Sequence, residues 1–168
     1  TVCAMRDDEP TSFADGDAPR DFAVLVHGGA GDLPDSAREG HAEGCARAAR
    51  VARDVVAAGG SALDAAGAAV RVLEDDPRFN AGTGACLAED GSLELDASIM
   101  EGRTLAAGAV CALPPFASPI AIARAALDDG RHVLYAGDGA RRFAEKMGFA
   151  PADPATMITE AARARFLA

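Results

Sequence analysis

Three acids in a row, Glu74, Asp75 and Asp76, end a helical pattern inside the run LEDDPRFNAGTG, Leu73 to Gly84. A helix C-terminus carries partial negative charge, so anions there need compensation. Solvent with Arg71 or Arg78 is one form of it. A cation held by exposed carbonyls of the helix end and loop is another, because hard cations take oxygen ligands. Asn80 follows, between Phe79 and Ala81-Gly82. Small neighbours let a ligand approach the backbone, and the amide offers both a donor and an acceptor. The plainer alternative is an Asx-turn residue that holds the loop.

A second candidate is HGGAG, His27 to Gly31, directly after the apolar run Phe22 to Val26. It can be a phosphate loop, an oxyanion loop or a structural turn. Neither GxxxxGK[ST] nor GxSxG accompanies it, which leaves the turn as its simplest role. His27, His41 and His132 form no HExxH or His-x-His pattern, so metal catalysis finds little support. His41 is expected on the solvated side of its helix, and His132 at the start of a strand. Asp96 follows the alternating Leu93-Glu94-Leu95, and a carboxylate turned inward there needs a partner. No serine, threonine or cysteine sits in a recognisable elbow beside a base, so the chain reads as an incomplete catalyst.

The elements that must position these groups follow from periodicity. Phe22 to Val26 is a buried strand. Apolar residues spaced by three and four predict a helix over Ser36 to Gly59. Ser61 with Asp64 opens a second helix as a capping box, and Pro77 stops it. Residues 85–88 and 92–95 are expected to pair as a hairpin across Asp90-Gly91. Strands at 106–113 and 132–136 and helices at 120–127, 137–149 and 158–167 complete the order. Hairpins beside helices favour a mostly antiparallel sheet covered by helices. Residues 1–20 read as a flexible polar arm, and 21–168 as part of one domain.

The 168 residues carry a formal net charge of -10, which disfavours nucleic acid and anionic membranes as partners. No apolar run approaches a membrane span. Cys3, Cys45, Cys86 and Cys111 lie among small or apolar residues without a CxxC pair; buried reduced thiols and a cytoplasmic location are the expectation.

Read together, the motifs resemble one family. VHGGAG at Val26 to Gly31, GGSALDAAGAAVRVLEDDPRFNAGTGA at Gly59 to Ala85, and ELDASIMEGRTLAAGAVCAL at Glu94 to Leu113 stand in its order and spacing. So do SPIAIAR at Ser118 to Arg124 and HVLYAGDGARRFAEKMGF at His132 to Phe149. The chain is similar to the α subunit of plant-type L-asparaginases/isoaspartyl peptidases, which are N-terminal nucleophile hydrolases.

The resemblance implies an α/β (α+β type) fold, a four-layer αββα sandwich of which this chain supplies the N-terminal half. It implies a precursor that cuts itself into α and β subunits, paired as (αβ)₂. The nucleophile is the new N-terminal threonine of β, with its own amine as base. The implied substrates are L-asparagine and β-aspartyl dipeptides. Residue by residue, Asn80 matches a position beside the nucleophile, and Gly28 and Gly29 match a loop that affects self-cleavage. Leu73, Glu74, Asp76, Phe79, Ala81 and Thr83 match positions whose main-chain oxygens bind a structural sodium ion. No organic cofactor is implied. Thr1 opens TVCA, an echo of the β-subunit start, but it precedes HGGAG and MRDDEPTSFADGD does not continue as strands; it is read as part of the arm. The alternatives are an aspartylglucosaminidase or threonine aspartase of the same superfamily, or a non-catalytic binding or scaffold derivative.

Overall fold

A computed structural model describes residues 2–6 as backbone, and residues 22–31 and 33–168 in full. Strand β1, Val2–Arg6, lies antiparallel to β2, Ala23–His27, with residue 2 opposite His27. This corrects the reading of the first residues as part of an arm: a short apolar stretch finds a strand partner that composition alone does not reveal. Thr1 and residues 7–20, the rest of that arm, lie outside the described residues.

Helix α1, Asp35–Ala57, and α2, Ala62–Glu74, form a tight pair. The turn between them uses Gly59 at φ 87°, a conformation open to glycine without steric cost. The expected capping box is present: Asp64 N–H donates to Ser61 Oγ, and Ser61 N–H donates to the Asp64 carboxylate. Val26, Cys45, Ala48, Ala49, Ala52, Ala65, Ala69, Leu73 and Phe79 form one core cluster, so the same helix pair anchors both the HGGAG strand and the acidic loop.

The second unit is a three-stranded sheet in the order β3-β4-β5. β3, Leu95–Met100, pairs antiparallel with β4, Ala107–Leu113. β4 then connects through α3, Pro119–Asp129, to β5, Leu134–Ala136, which lies parallel to it. A parallel neighbour requires such a crossover, and α3 supplies it. Helix α4, Gly137–Lys146, follows directly, and the short helices α5, Pro154–Met157, and α6, Glu160–Phe166, end the described chain.

The expected hairpin at 85–95 shrinks to a single bridge, Leu87 to Leu93, and the continuous strand begins where that hairpin was expected to end. Asp96 and Ser98 give β3 the period-two pattern of a strand covered on one face. They alternate with Leu95, Ala97 and Ile99 and face away from the helices. On the covered face, α3 approaches β4 so closely that a Cβ at Gly108 would lie 2.3 Å from Ala123 O and Leu127 N. On the other face Met100 and Leu134 are more than half exposed.

Candidate functional site

The loop after α2 folds back on the helix end. Thr83 N–H donates to Glu74 O at 2.8 Å, Asp76 N–H to Leu73 O at 3.3 Å and Phe79 N–H to Asp76 O at 3.0 Å. The return is tight because glycines stand at the crossings. A Cβ at Gly82 would come within 2.7 Å of Glu74 O, and one at Gly84 within 2.8 Å of Pro77 O and 3.2 Å of Phe79 O.

The three acids take separate tasks. Asp75 pairs with Arg71 one helical turn back, at 2.8 Å. Asp76 is buried and held by two arginines, Arg78 through both carboxylate oxygens and Arg47 at 2.7 Å. The Arg78 hydrogen bonds, aided by Arg47, hold its carboxyl down at about 2 against the cost of burial. Glu74 is fully buried. Its Oε1 accepts from Ile120 N–H at 2.8 Å and its Oε2 from Ser118 Oγ at 3.2 Å. Burial pushes its carboxyl up to about 7, opposed by those two donors.

These contacts bear on the cation implied by the resemblance. The Glu74 and Asp76 side chains are engaged elsewhere, so an ion at this loop would meet carbonyl oxygens. The back-folding brings Glu74 O, Pro77 O and Phe79 O to the glycine strand of the loop. A donor set of neutral oxygens suits a monovalent hard cation. Of the six implied carbonyls, those of Leu73, Glu74 and Asp76 each accept a main-chain N–H and retain one lone pair with which to fit such an ion. Among the described residues no cluster of His, Cys, Asp and Glu forms a separate metal site.

Asn80 is exposed on this loop and opens into a cavity of about 290 Å³. Glu74, Ala81, Cys86, Asp96 and Ser98 share its wall. Asn80 Nδ2 lies 3.9 Å from Cys86 Sγ. Cys86 is exposed, which corrects its reading as a buried thiol; Cys45 is buried as expected. Asp96 is exposed rather than turned inward, and its carboxylate accepts from Ala112 N–H at 2.8 Å. That contact sits at a bulge where Leu95 faces Leu113 but Ala97 faces Val110, with Ala112 at φ 46°. Bulges of this kind re-aim side chains beside functional sites. A larger cavity of about 680 Å³ lies between α2 and α3. Apolar residues such as Leu63, Phe116 and Phe149 line it, and Asn80 does not.

The HGGAG loop leaves β2 in the open. Gly29 has φ 101°, and its N–H donates to His27 Nδ1 at 3.1 Å. Gly28 and Gly29 are absent from the wall of the Asn80 cavity. His41 is buried, not solvated as expected. It packs edge-on to Phe79 at 5.0 Å, and its Nδ1 contacts Ala37 O. His132 is exposed and lies edge-on to Tyr135.

Sequence reasoning missed the grip on this loop from distant residues. Arg47 on α1 has no motif to announce it. Neither does Arg165, whose Nη2 donates to Gly84 O at 2.8 Å while Gly84 N–H donates to Met157 O. The hydroxyls of Ser61, Thr104 and Ser118 donate to the carboxylates of Asp64, Glu101 and Glu74.

Comparison with known proteins returns to the same stretches. The sequence profile described as "Asparaginase" matches residues 20–168. The isoaspartyl peptidase/L-asparaginase of Mus musculus is 45% identical over 140 residues, covering 83% of this chain and 43% of that protein. The plant-type L-asparaginase of Pyrococcus furiosus is 46% identical over 139 residues, covering 80% and 44%. The isoaspartyl peptidase/L-asparaginase of Danio rerio is 41% identical over 143 residues, covering 85% and 46%. The chain therefore spans less than half the length of these curated relatives. With a profile match across almost all its described residues, including the Asn80 loop and HGGAG, the chain belongs to the asparaginase family.

Proposed function

We propose that this chain is the α part of an amidohydrolase that acts on L-asparagine, on β-aspartyl dipeptides, or on both. The observation that carries the reading is the Asn80 loop. It is braced from α1, α3 and α6, and it opens an amide into a cavity. The site is built to support a nucleophile that arrives from elsewhere. A β part with an N-terminal threonine supplies it in this reading. The threonine hydroxyl gives its proton to its own amine and attacks the amide carbon. The C–N bond breaks, the amine leaves with the proton, and water hydrolyses the ester.

The chain's own residues have supporting roles. Asn80 lies beside the threonine and orients the reacting groups through its amide. Gly28 and Gly29 shape the loop on which self-cleavage depends. The carbonyls of Leu73, Glu74, Asp76, Phe79, Ala81 and Thr83 hold a sodium ion. With the acidic side chains already paired, these carbonyls would give such an ion neutral oxygen ligands at the helix end and so stiffen the loop. The bare face of the β3-β4-β5 sheet, with Met100 and Leu134 in water, supports a second sheet from β and hence the four-layer αββα sandwich. Pairing of two αβ units and a cytoplasmic location complete the proposal. No helix among the described residues is long and apolar enough to cross a membrane.

The test is expression of the complete polypeptide, intact mass and N-terminal sequencing of every chain, and assays for ammonia from asparagine and aspartate from β-aspartyl dipeptides. A two-chain protein with a free N-terminal threonine and turnover of either substrate is expected. A correctly cut protein that turns over neither overturns the reading. Turnover of glycosylasparagine or of protein substrates alone would mark the other branches of the superfamily.

A further inference from the structure

Glu74 closes the Asn80 loop through its main chain and reaches the sheet unit through its side chain. Its carbonyl accepts from Thr83 N–H at 2.8 Å and closes the loop. Its carboxylate reaches the first turn of α3, where Ile120 N–H donates at 2.8 Å and Ser118 Oγ at 3.2 Å. Pro119 at the start of α3 has no N–H to give, and Ser118 offers no side-chain cap to its own helix. The helix end is therefore capped from a distance of more than forty residues in sequence. α3 in turn packs on β3 and β4, which carry Asp96 and Ser98 on the cavity wall.

We propose that the Glu74 side chain is a positioning residue: by capping α3 it fixes the 75–84 loop against the β3 side of the cavity. This sets where Asn80 and the cation-facing carbonyls stand. The inference rests on the reading of this loop as the site's support. A glutamine at 74 keeps the brace, since its carbonyl can accept from Ile120 N–H and its amide can donate to Ser118 Oγ. An aspartate keeps the charge but withdraws it by about 1.5 Å, one carbon–carbon bond, and loses the reach.

The test compares wild type with Glu74→Gln, Glu74→Asp and Glu74→Ala in the complete two-part enzyme. Hydrogen exchange of 75–84 and 118–122, the sodium concentration that gives half-maximal thermal stabilisation, and kcat and KM are measured separately. Glu74→Asp and Glu74→Ala are expected to speed exchange in both segments about tenfold or more. They should also raise the sodium requirement about tenfold and lower kcat with little change in KM. Glu74→Gln stays within about threefold of wild type on each. If Glu74→Ala does not fold, the Asp and Gln pair decides. Exchange in Glu74→Asp equal to wild type overturns the brace, and so does Glu74→Gln behaving like Glu74→Asp. Absent turnover or absent sodium response in the wild type counts against the proposed function, while hydrogen exchange still judges the brace.

Discussion

Arg165 Nη2 donates to the carbonyl oxygen of Gly84 at 2.8 Å, which fastens the last helix to the glycine that ends the acidic loop. The bond comes from a guanidinium to a carbonyl, a charge-assisted type worth about 1.5–3 kcal/mol when well shielded. Arg165 is exposed, so the lower end applies. Arg165→Ala is expected to cost about 1–1.5 kcal/mol, a fall of a few degrees in melting temperature. Arg165→Lys should recover part of it. A melting curve unchanged in both would show that the clamp carries no stability.

Glycine positions give a graded series. At Gly44 a Cβ would meet the Phe79 ring at 2.5 Å and Asp76 Oδ2 at 3.2 Å. Gly44→Ala should cost about 1–3 kcal/mol by overpacking. Gly108→Ala faces rigid backbone at 2.3 Å and is expected to abolish soluble expression. Gly67 lies in α2 with nothing near its missing Cβ, so Gly67→Ala should stabilise by about 0.5–1 kcal/mol. Thermal melts of the three variants check the order; a destabilised Gly67→Ala would show that α2 is covered on that side.

The pH dependence of α2 follows from its cap. Asp64 has its carboxyl held below the ordinary value, first by the Ser61 hydroxyl and backbone, then by Arg124. A carboxyl lowered in the folded state gives stability that is present above its unfolded value near ~4 and is lost as pH falls below it. Asp64→Asn should therefore melt below wild type at pH 7, and the two curves should converge toward pH 3. Ser61→Ala removes the hydroxyl that also donates to the Asp64 carboxylate, so its cost of about 1 kcal/mol at pH 7 should shrink toward pH 3. Parallel curves for Asp64→Asn at both pH values would refute the linkage.

His27 supplies a tautomer test. Its Nδ1 accepts from Gly29 N–H at 3.1 Å, so that nitrogen holds a lone pair and the ring proton belongs on Nε2. His27→Asn places an oxygen near the Nδ1 position, whereas His27→Gln mimics Nε2. One hydrogen bond of about 0.5–1.5 kcal/mol corresponds to as much as about tenfold in rate. Under the proposed maturation, self-cleavage of the complete polypeptide, followed by gel or mass, should be slowed about that much in His27→Gln and largely restored in His27→Asn. Equal rates in the two variants would remove His27 from the loop's geometry.

What was legible in the sequence was local. The Ser61-Asp64 box and the Gly59 turn set α2, and Pro119 and its apolar spacing set α3. The motif around Asn80 stands out as a candidate site because its acids and glycines stand together in sequence. The missing parts are long-range or strained. β3 begins at a bulge between Leu95 and Ala97 that no local pattern marks, so the strand starts where the shorter hairpin was expected to end. The bulge at Ala112 depends on a carboxylate sixteen residues earlier. Arg47, Ser118, Ile120 and Arg165 reach the loop only through the fold. His41 looked solvated by helical position, yet the ring of Phe79 covers it.

The uncovered sheet face bears on the order of events in the making of this protein. A strand layer with Met100 and Leu134 in water invites pairing with whatever chain is near. Two halves made separately would have to meet by diffusion while that layer stayed exposed. Joined in one polypeptide, the second half arrives at an effective concentration on the order of millimolar. Under the proposed maturation, cutting after folding lets the covalent link serve as an assembly chaperone that is discarded once the layers have closed.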